Sequence, residues 1–118
     1  MIDNQKQAKE LLQQMKEQLP IPVLATDGLV RSMKRQRPEL KRQRQLSVKS
    51  VLYIGDEGGI MCDITPDGSN SAIICSLTQV EILADHPLAA EIQAYQQARI
   101  RKLAARGAGP RVFPITPR

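Results

Sequence analysis

Hydrophobic positions in the first part of the chain recur at the spacing of a helix. Asp3 or Asn4 can cap the start of this helix, and Pro20 ends it because a proline ring clashes with the preceding turn. Residues 20–24 then read as an extended connector, since residues before prolines are held out of the helical region. The first prediction is an amphipathic helix whose apolar face is formed by Ala8, Leu11, Leu12, Met15 and Leu19.

A second, shorter helix is predicted from Thr26 or Asp27 to about residue 36. Pro38 interrupts it, and residues 39–45 can add a turn or two with Leu40 as the main apolar contact. The inward-facing residues of this helix are Leu29, Val30 and Met33.

From residue 46 to residue 83 the hydrophobic period changes to two, which is typical of β-strands. Glycine- and proline-rich turns at 55–59 and 66–68 divide this region. We predict strands over 48–54, 60–65 and 72–77, with a short fourth strand at Val80 and Ile82. An antiparallel meander follows, and the glycine-rich hairpins leave a small barrel-like curl of the sheet as the alternative.

The turn at 66–68 also predicts a register. A type I turn with a glycine bulge places Thr65 opposite Ser69. In that register Cys62 shares a face with Ile64, and Cys75 points to the other side of the sheet. We therefore expect two free thiols that cannot bond to each other.

The C-terminal region predicts a third helix over 86–106. Asp85-His86-Pro87 is a helix start, and Gly107 can cap the end. Arg99 falls within the inward stripe, so it either lays its stem over apolar surface or meets an acid of the sheet. The stripe is formed by Leu88, Ile92, Tyr95, Leu103 and, at its margin, Ile100. A second face carries Ala90, Ala94 and Ala98, a pattern that helix propensity explains more often than a dimer seam.

Helices and strands are segregated along the chain, which is the α+β pattern. The predicted fold is an antiparallel three- to four-stranded β-meander with two N-terminal helices and one C-terminal helix packed on it. We predict a single domain over 1–106, made of a helical N-terminal part with a basic block (1–47), the meander (48–83) and the C-terminal helix (86–106). A tail containing proline and glycine follows at 107–118. A chain of 118 residues can bury one core of this kind.

Charge is sorted along the chain more strongly than the formal net charge of +5 suggests. Residues 31–44 hold seven cations against one acid, and residues 45–91 hold one cation against seven acids. Residues 92–118 hold six cations and no acid. The middle of the chain is therefore acidic, and it lies between two basic segments.

The first basic segment is the leading functional candidate. Clustered cations neutralise phosphates and release counterions, and the arginine fork suits phosphate geometry. The predicted nucleic-acid-binding residues are Arg31, Lys34, Arg35, Arg37, Lys41, Arg42 and Arg44. Two alternatives stay open: a solvated helix face, or internal pairing with the acidic strands. The C-terminal run from Arg99 to Arg106 complements a helix dipole, and it gains functional meaning only if it lies beside 31–44.

Other chemistry finds little support in the sequence. Two cysteines and one histidine are too few for a structural zinc site, which needs four ligands. The loop at 55–59 lacks the Gly-Lys-Ser/Thr end of a P-loop, and His86 is better suited to capping a helix. We therefore predict no catalytic, cofactor-binding or metal-binding residues. Tyr53, Tyr95 and Phe113 are the only aromatic residues, too few for a base-stacking platform. The absence of a long apolar run or signal-like segment predicts no membrane partner and a reducing, cytoplasmic location.

The sequence thus predicts a small basic cytoplasmic protein that is not an enzyme. The first hypothesis is binding of nucleic acid, RNA or DNA, without sequence specificity through residues 31–44. The alternative is a protein-interaction module or small assembly subunit. It would use the basic block on an acidic protein partner, or the apolar face of the first helix on a groove. A homo-oligomer is compatible with either hypothesis.

Overall fold

The computed structural model of the chain describes residues 3–38, 40 and 45–105. This part has the predicted α+β class. Its helices are α1 (Gln5–Gln18), α2 (Asp27–Met33) and α3 (Ala89–Ala105). Its strands are β1 (Ile21–Ala25), β2 (Gln45–Val48), β3 (Ser50–Tyr53), β4 (Ile60–Asp63), β5 (Ile74–Ser76) and β6 (Val80–Ile82). A 3-10 turn at Leu77–Gln79 joins β5 to β6.

The two N-terminal helices begin where their capping residues predict. The Asn4 side chain accepts a hydrogen bond from the backbone N–H of Gln7 and caps α1. The Thr26 hydroxyl accepts from the N–H of Leu29 and caps α2. Each helix docks on the strands through the predicted apolar face, in which Ala8, Leu11, Met15 and Leu29 are buried.

The segment predicted as an extended connector is a strand of the core. β1 is the central strand of a sheet with the order β2-β1-β6, and both pairings are antiparallel. Its alternate residues Ile21, Val23 and Ala25 are completely buried. Pro22 is tolerated because β6 pairs with β1 only from Val23 onwards, so no strand on that side needs its missing N–H.

The region predicted as one meander is divided between two sheets. Strands β3, β4 and β5 form an antiparallel meander, whereas β2 and β6 pair with β1. Only Lys49 separates β2 from β3, and its N–H donates to the carbonyl of Asp63, so pairing continues past the bend. The two sheets share one apolar core, which also receives Leu11 and Met15 of α1 and Ile92 of α3.

The predicted register of the β4–β5 hairpin is wrong. Cys62 pairs with Cys75, and the connection extends well beyond residues 66–68. Thr65 leaves the ladder: its N–H and hydroxyl donate to the Asp63 carboxylate, and its Oγ1 accepts from the N–H of Ile73. The side chain of Thr65 thus replaces a backbone partner, which lengthens the loop and turns both cysteines to the same buried face.

Helix α3 begins three residues later than its start signal predicts. His86 Nδ1 accepts from the N–H of Leu88 at 3.0 Å, and the His86 carbonyl accepts from Ala89 at 3.0 Å. His86 therefore caps the turn that precedes the helix. On the buried face of α3, Gln96 donates to the carbonyls of Leu77 and Val80, which fixes the helix to the 3-10 turn.

Truncation of Val23 tests the placement of β1 in the core. We expect Val23→Ala to lower the free energy of unfolding by about 2 kcal/mol, because it opens a cavity in the apolar core against the central strand. Leu52→Ala, at a side chain that is 60% exposed, is the control and should cost well under half as much. Equal losses in urea titrations would contradict a core strand at 21–25.

The buried cysteine pair predicts a loss of stability in alkali. Burial raises the pKa of Cys75 from 9.0 to about 12, and it raises the pKa of Cys62 as well. Since the folded state keeps protons that the unfolded chain releases, this stability is complete below about pH 9 and falls as pH rises above it. Urea titrations along a pH series should show a weaker alkaline decline in Cys62→Ala/Cys75→Ala than in the parent. An unchanged decline would assign it to other groups.

Candidate functional site

The described part of the predicted basic segment lies at the end of α2. Arg31 is in the last turn of this helix, Lys34 follows as its C-cap, and Arg35 lies in the next turn. All three side chains are exposed to solvent. None of the three forms an ion pair with another residue of the described part. We name these three residues the α2 basic surface.

Arg37 has a different role from its neighbours. It is half-buried, and its guanidinium donates to the Ser69 hydroxyl at 2.9 and 3.3 Å and to the Ser71 carbonyl at 2.8 Å. These bonds fasten the segment after α2 to the β4–β5 loop. Of the predicted site, Lys41, Arg42 and Arg44 lie outside the described residues.

Two acids near the β4–β5 loop have partners outside the α2 basic surface. Hydrogen bonds from the hydroxyl and N–H of Thr65 lower the pKa of the Asp63 carboxyl. Asp67 pairs with Lys49, which lowers the pKa of Asp67. The internal electrostatic seam that the sequence left open is therefore not formed by these acids with Arg31, Lys34 or Arg35.

The C-terminal basic run is divided between the interior and the surface. Arg99 is only 3% exposed, and it forms an ion pair with Asp3 at 3.0 Å. Its guanidinium also donates to the carbonyls of Asp56 at 2.9 Å and Glu57 at 2.5 Å. The predicted pairing with an acid of the sheet is therefore wrong in its partner, because Asp3 precedes α1 and is not part of the sheet. Arg101 and Lys102 are exposed.

Tyr95 completes the network around Asp3. Its hydroxyl donates to the Asp3 carboxylate at 3.1 Å and accepts from the N–H of Ile60 at 3.0 Å. The N–H of Asp3 donates to the Asp56 carboxylate at 2.7 Å. Burial is the main cause that raises the pKa of the Tyr95 hydroxyl, so it stays protonated as a donor.

Gly59 allows this network to close. Its φ is +68°, and a Cβ at this position would lie 2.4 Å from the Tyr95 hydroxyl and 2.9 Å from the Arg99 guanidinium. Gly59 thus lets the backbone of the predicted turn at 55–59 approach the buried Arg99 closely. Among the described residues no group of three or more His, Cys, Asp or Glu side chains could hold a metal ion.

Arg99 and Arg37 contact the chain on opposite sides of β4. Arg99 contacts the turn that precedes this strand, and Arg37 contacts the loop that follows it. About 10 Å of extended chain separates the two ends of the strand. Arg99 therefore contacts the sheet at a different end from the segment that Arg37 anchors, and Arg106 of the C-terminal basic run lies outside the described residues.

The sequence pattern missed three exposed apolar side chains on or beside the β3-β4-β5 sheet. Leu52, Ile54 and Ile74 are 60%, 52% and 55% exposed. The alternation of β3 could have found Leu52, but Ile74 becomes exposed only through the corrected hairpin register.

Comparison of the chain with protein-family models, with curated proteins and with solved structures finds no significant match. None of the described helices is long and apolar enough to cross a membrane.

Loss of the Arg99 guanidinium tests the network. We expect Arg99→Met to lower the free energy of unfolding by about 3–5 kcal/mol, because it leaves the Asp3 carboxylate buried without its cation. Arg31→Met, which removes an exposed cation from a helix, is the control and should change stability little. Asp3→Asn in the Arg99→Met background should recover part of the loss. Additive losses in chemical denaturation would contradict coupling of the two side chains.

Proposed function

We propose that the protein binds nucleic acid without sequence specificity, with the α2 basic surface in contact with phosphates. The observation that supports this function best is the solvent exposure of Arg31, Lys34 and Arg35 without an ion pair in the described part of the chain. A helix dipole accounts for a cation in the last turn of α2, but Arg35 lies beyond the helix. Lys41, Arg42 and Arg44 extend the same cationic segment in the sequence.

Arg37 supports the proposal because it anchors the segment that carries the cations. Its bonds to Ser69 and Ser71 hold the chain after α2 on the β4–β5 loop. Cations on an anchored segment lose less conformational entropy on binding than cations on a free tail. Arg31 and Arg35 can also bind phosphate oxygens through two parallel N–H donors.

Because the chain has few aromatic residues, we propose that it contacts the backbone of the nucleic acid and not its bases. Tyr95 uses its hydroxyl within the Asp3 network, and the Tyr53 side chain is half-buried. Base stacking needs rings that are free in a groove. The proposal therefore includes RNA and DNA alike and assigns sequence readout no part.

We propose further that the protein is cytoplasmic and is not an enzyme. Two buried thiols that face each other across β4 and β5 suit a reducing compartment. The hydroxyl, carboxylate and guanidinium groups of the Asp3 network are engaged with one another, which suits a structural role for them.

Charge reversal tests the α2 basic surface. We expect Arg31→Glu/Lys34→Glu/Arg35→Glu to reduce affinity for mixed-sequence duplex DNA and single-stranded RNA strongly. The dependence of log affinity on log salt should become shallower by about 2.7 on duplex DNA, since each lost phosphate contact removes about 0.9. Fluorescence anisotropy titrations over a salt series measure both effects.

The matched control reverses three exposed lysines of α1. Lys6→Glu/Lys9→Glu/Lys16→Glu changes net charge by the same amount, so it separates a local surface from a general effect of charge. Equal losses in the two variants would contradict a site on α2. Unchanged binding in the α2 variant, with an intact thermal transition, would exclude its contact with phosphates.

A protein-interaction module is the second candidate. The exposed Leu52, Ile54 and Ile74 side chains favour it, because exposed apolar side chains can serve as anchors in a contact with another protein. Binding through apolar anchors responds much less to salt than binding to phosphates does. The salt series therefore distinguishes the two functions.

A further inference from the structure

A groove of about 510 Å³ lies between α1 and α3. Its walls include the side chains of Ala8 and Leu11 from α1 and of Ala94 and Ala98 from α3. The buried Asp3–Arg99 pair also lines it. None of the residues that line the groove belongs to the α2 basic surface.

Four exposed charged side chains line the groove: Glu10 on α1, and Glu91, Arg101 and Lys102 on α3. None of the four forms an ion pair with a residue of the described part. Acid and base are separated along α3, since Glu91 lies about 16 Å from Lys102 along the helix axis. One end of the groove is therefore acidic and the other is basic.

The Asp3–Arg99 contact relates α1 to this polarity. It places the start of α1 beside the C-terminal half of α3. Glu10 lies about 10 Å along α1 from Asp3, and Glu91 lies about 12 Å back along α3 from Arg99. Both acids thus lie away from the Asp3–Arg99 contact, whereas Arg101 and Lys102 lie within one turn of Arg99.

We propose that the groove receives helix α3 of a second copy of this chain, so that two copies associate about a twofold axis. A twofold axis perpendicular to the helices makes the two α3 helices antiparallel. Arg101 and Lys102 of the second copy then lie at the level of Glu10 and Glu91 of the first. The same contacts recur at the other end, so the surface is complementary to itself.

The small side chains of α3 suit such a contact. Ala94 is exposed and Ala98 is half-buried, and both point into the groove. Small residues at four-residue spacing let two helix axes approach to about 8 Å. The apolar walls would be covered, and the charged ends would fix the direction of the second helix. Charge complementarity thus selects a second copy among the helices that an apolar groove could receive.

Sedimentation equilibrium of the full chain at micromolar to millimolar concentration tests this proposal. We expect a reversible dimer that Glu91→Lys or Lys102→Glu weakens by about tenfold, because each reversal replaces two symmetry-related attractions by repulsions. The combined Glu91→Lys/Lys102→Glu variant should regain dimerisation, since its opposite charges meet again across the axis. Lys9→Glu, an exposed reversal outside the groove, is the control and should leave the dimer unchanged.

A steric variant gives an independent test. Ala94→Trp should abolish the dimer by filling the groove, whereas Gln93→Trp, at an exposed neighbour outside the groove, should not. Circular dichroism melts at low concentration show that each variant is folded. A parent chain that stays monomeric would overturn the proposal, and so would a dimer that all these variants retain. Failure of the combined charge variant to regain dimerisation would overturn the antiparallel arrangement.

Discussion

The guanidinium of Arg99 joins three parts of the chain that are remote in sequence. From its place on α3, the guanidinium bonds to Asp3 before α1 and to two backbone carbonyls of the turn between β3 and β4. A buried charge is tolerated only when its hydrogen-bond donors are satisfied, so these contacts must form together. The network holds the start of α1 against the C-terminal half of α3, and both residues of its ion pair line the groove between the two helices.

Most of the elements could be predicted from the sequence because their signals are local. Asn4 and Thr26 cap the helices that they were expected to cap, and the period of two marks the strands. The sequence predicts a connector in place of β1 because Pro20 and Pro22 obscure the alternation of Ile21, Val23 and Ala25. What makes it a strand is pairing with β2 and β6, which are distant in sequence and carry no local signal of it.

The hairpin register and the candidate site show the same limit. The turn signal at 66–68 is local, so it does not show that the Thr65 hydroxyl accepts a hydrogen bond from the N–H of Ile73. This bond accompanies a longer loop than the turn signal predicts. The cationic block was evident from composition, but its division was not. Arg37 became an anchor because the register of β4 and β5 brings Ser69 and Ser71 within reach, and Arg99 found its acid 96 residues away.

The proposed dimer would change how tightly the α2 basic surface binds nucleic acid. The residues that line the groove include none of the α2 basic surface, so the proposed contact through α3 would leave Arg31, Lys34 and Arg35 free to bind phosphates. A dimer would carry two such surfaces on one particle. Contacts of a second surface with the same nucleic-acid strand would then be intramolecular, which raises apparent affinity without any new type of contact. Weak phosphate binding by one copy would thus become stronger wherever two copies associate, and both effects would depend on salt, because ions screen the charged ends of the groove as well.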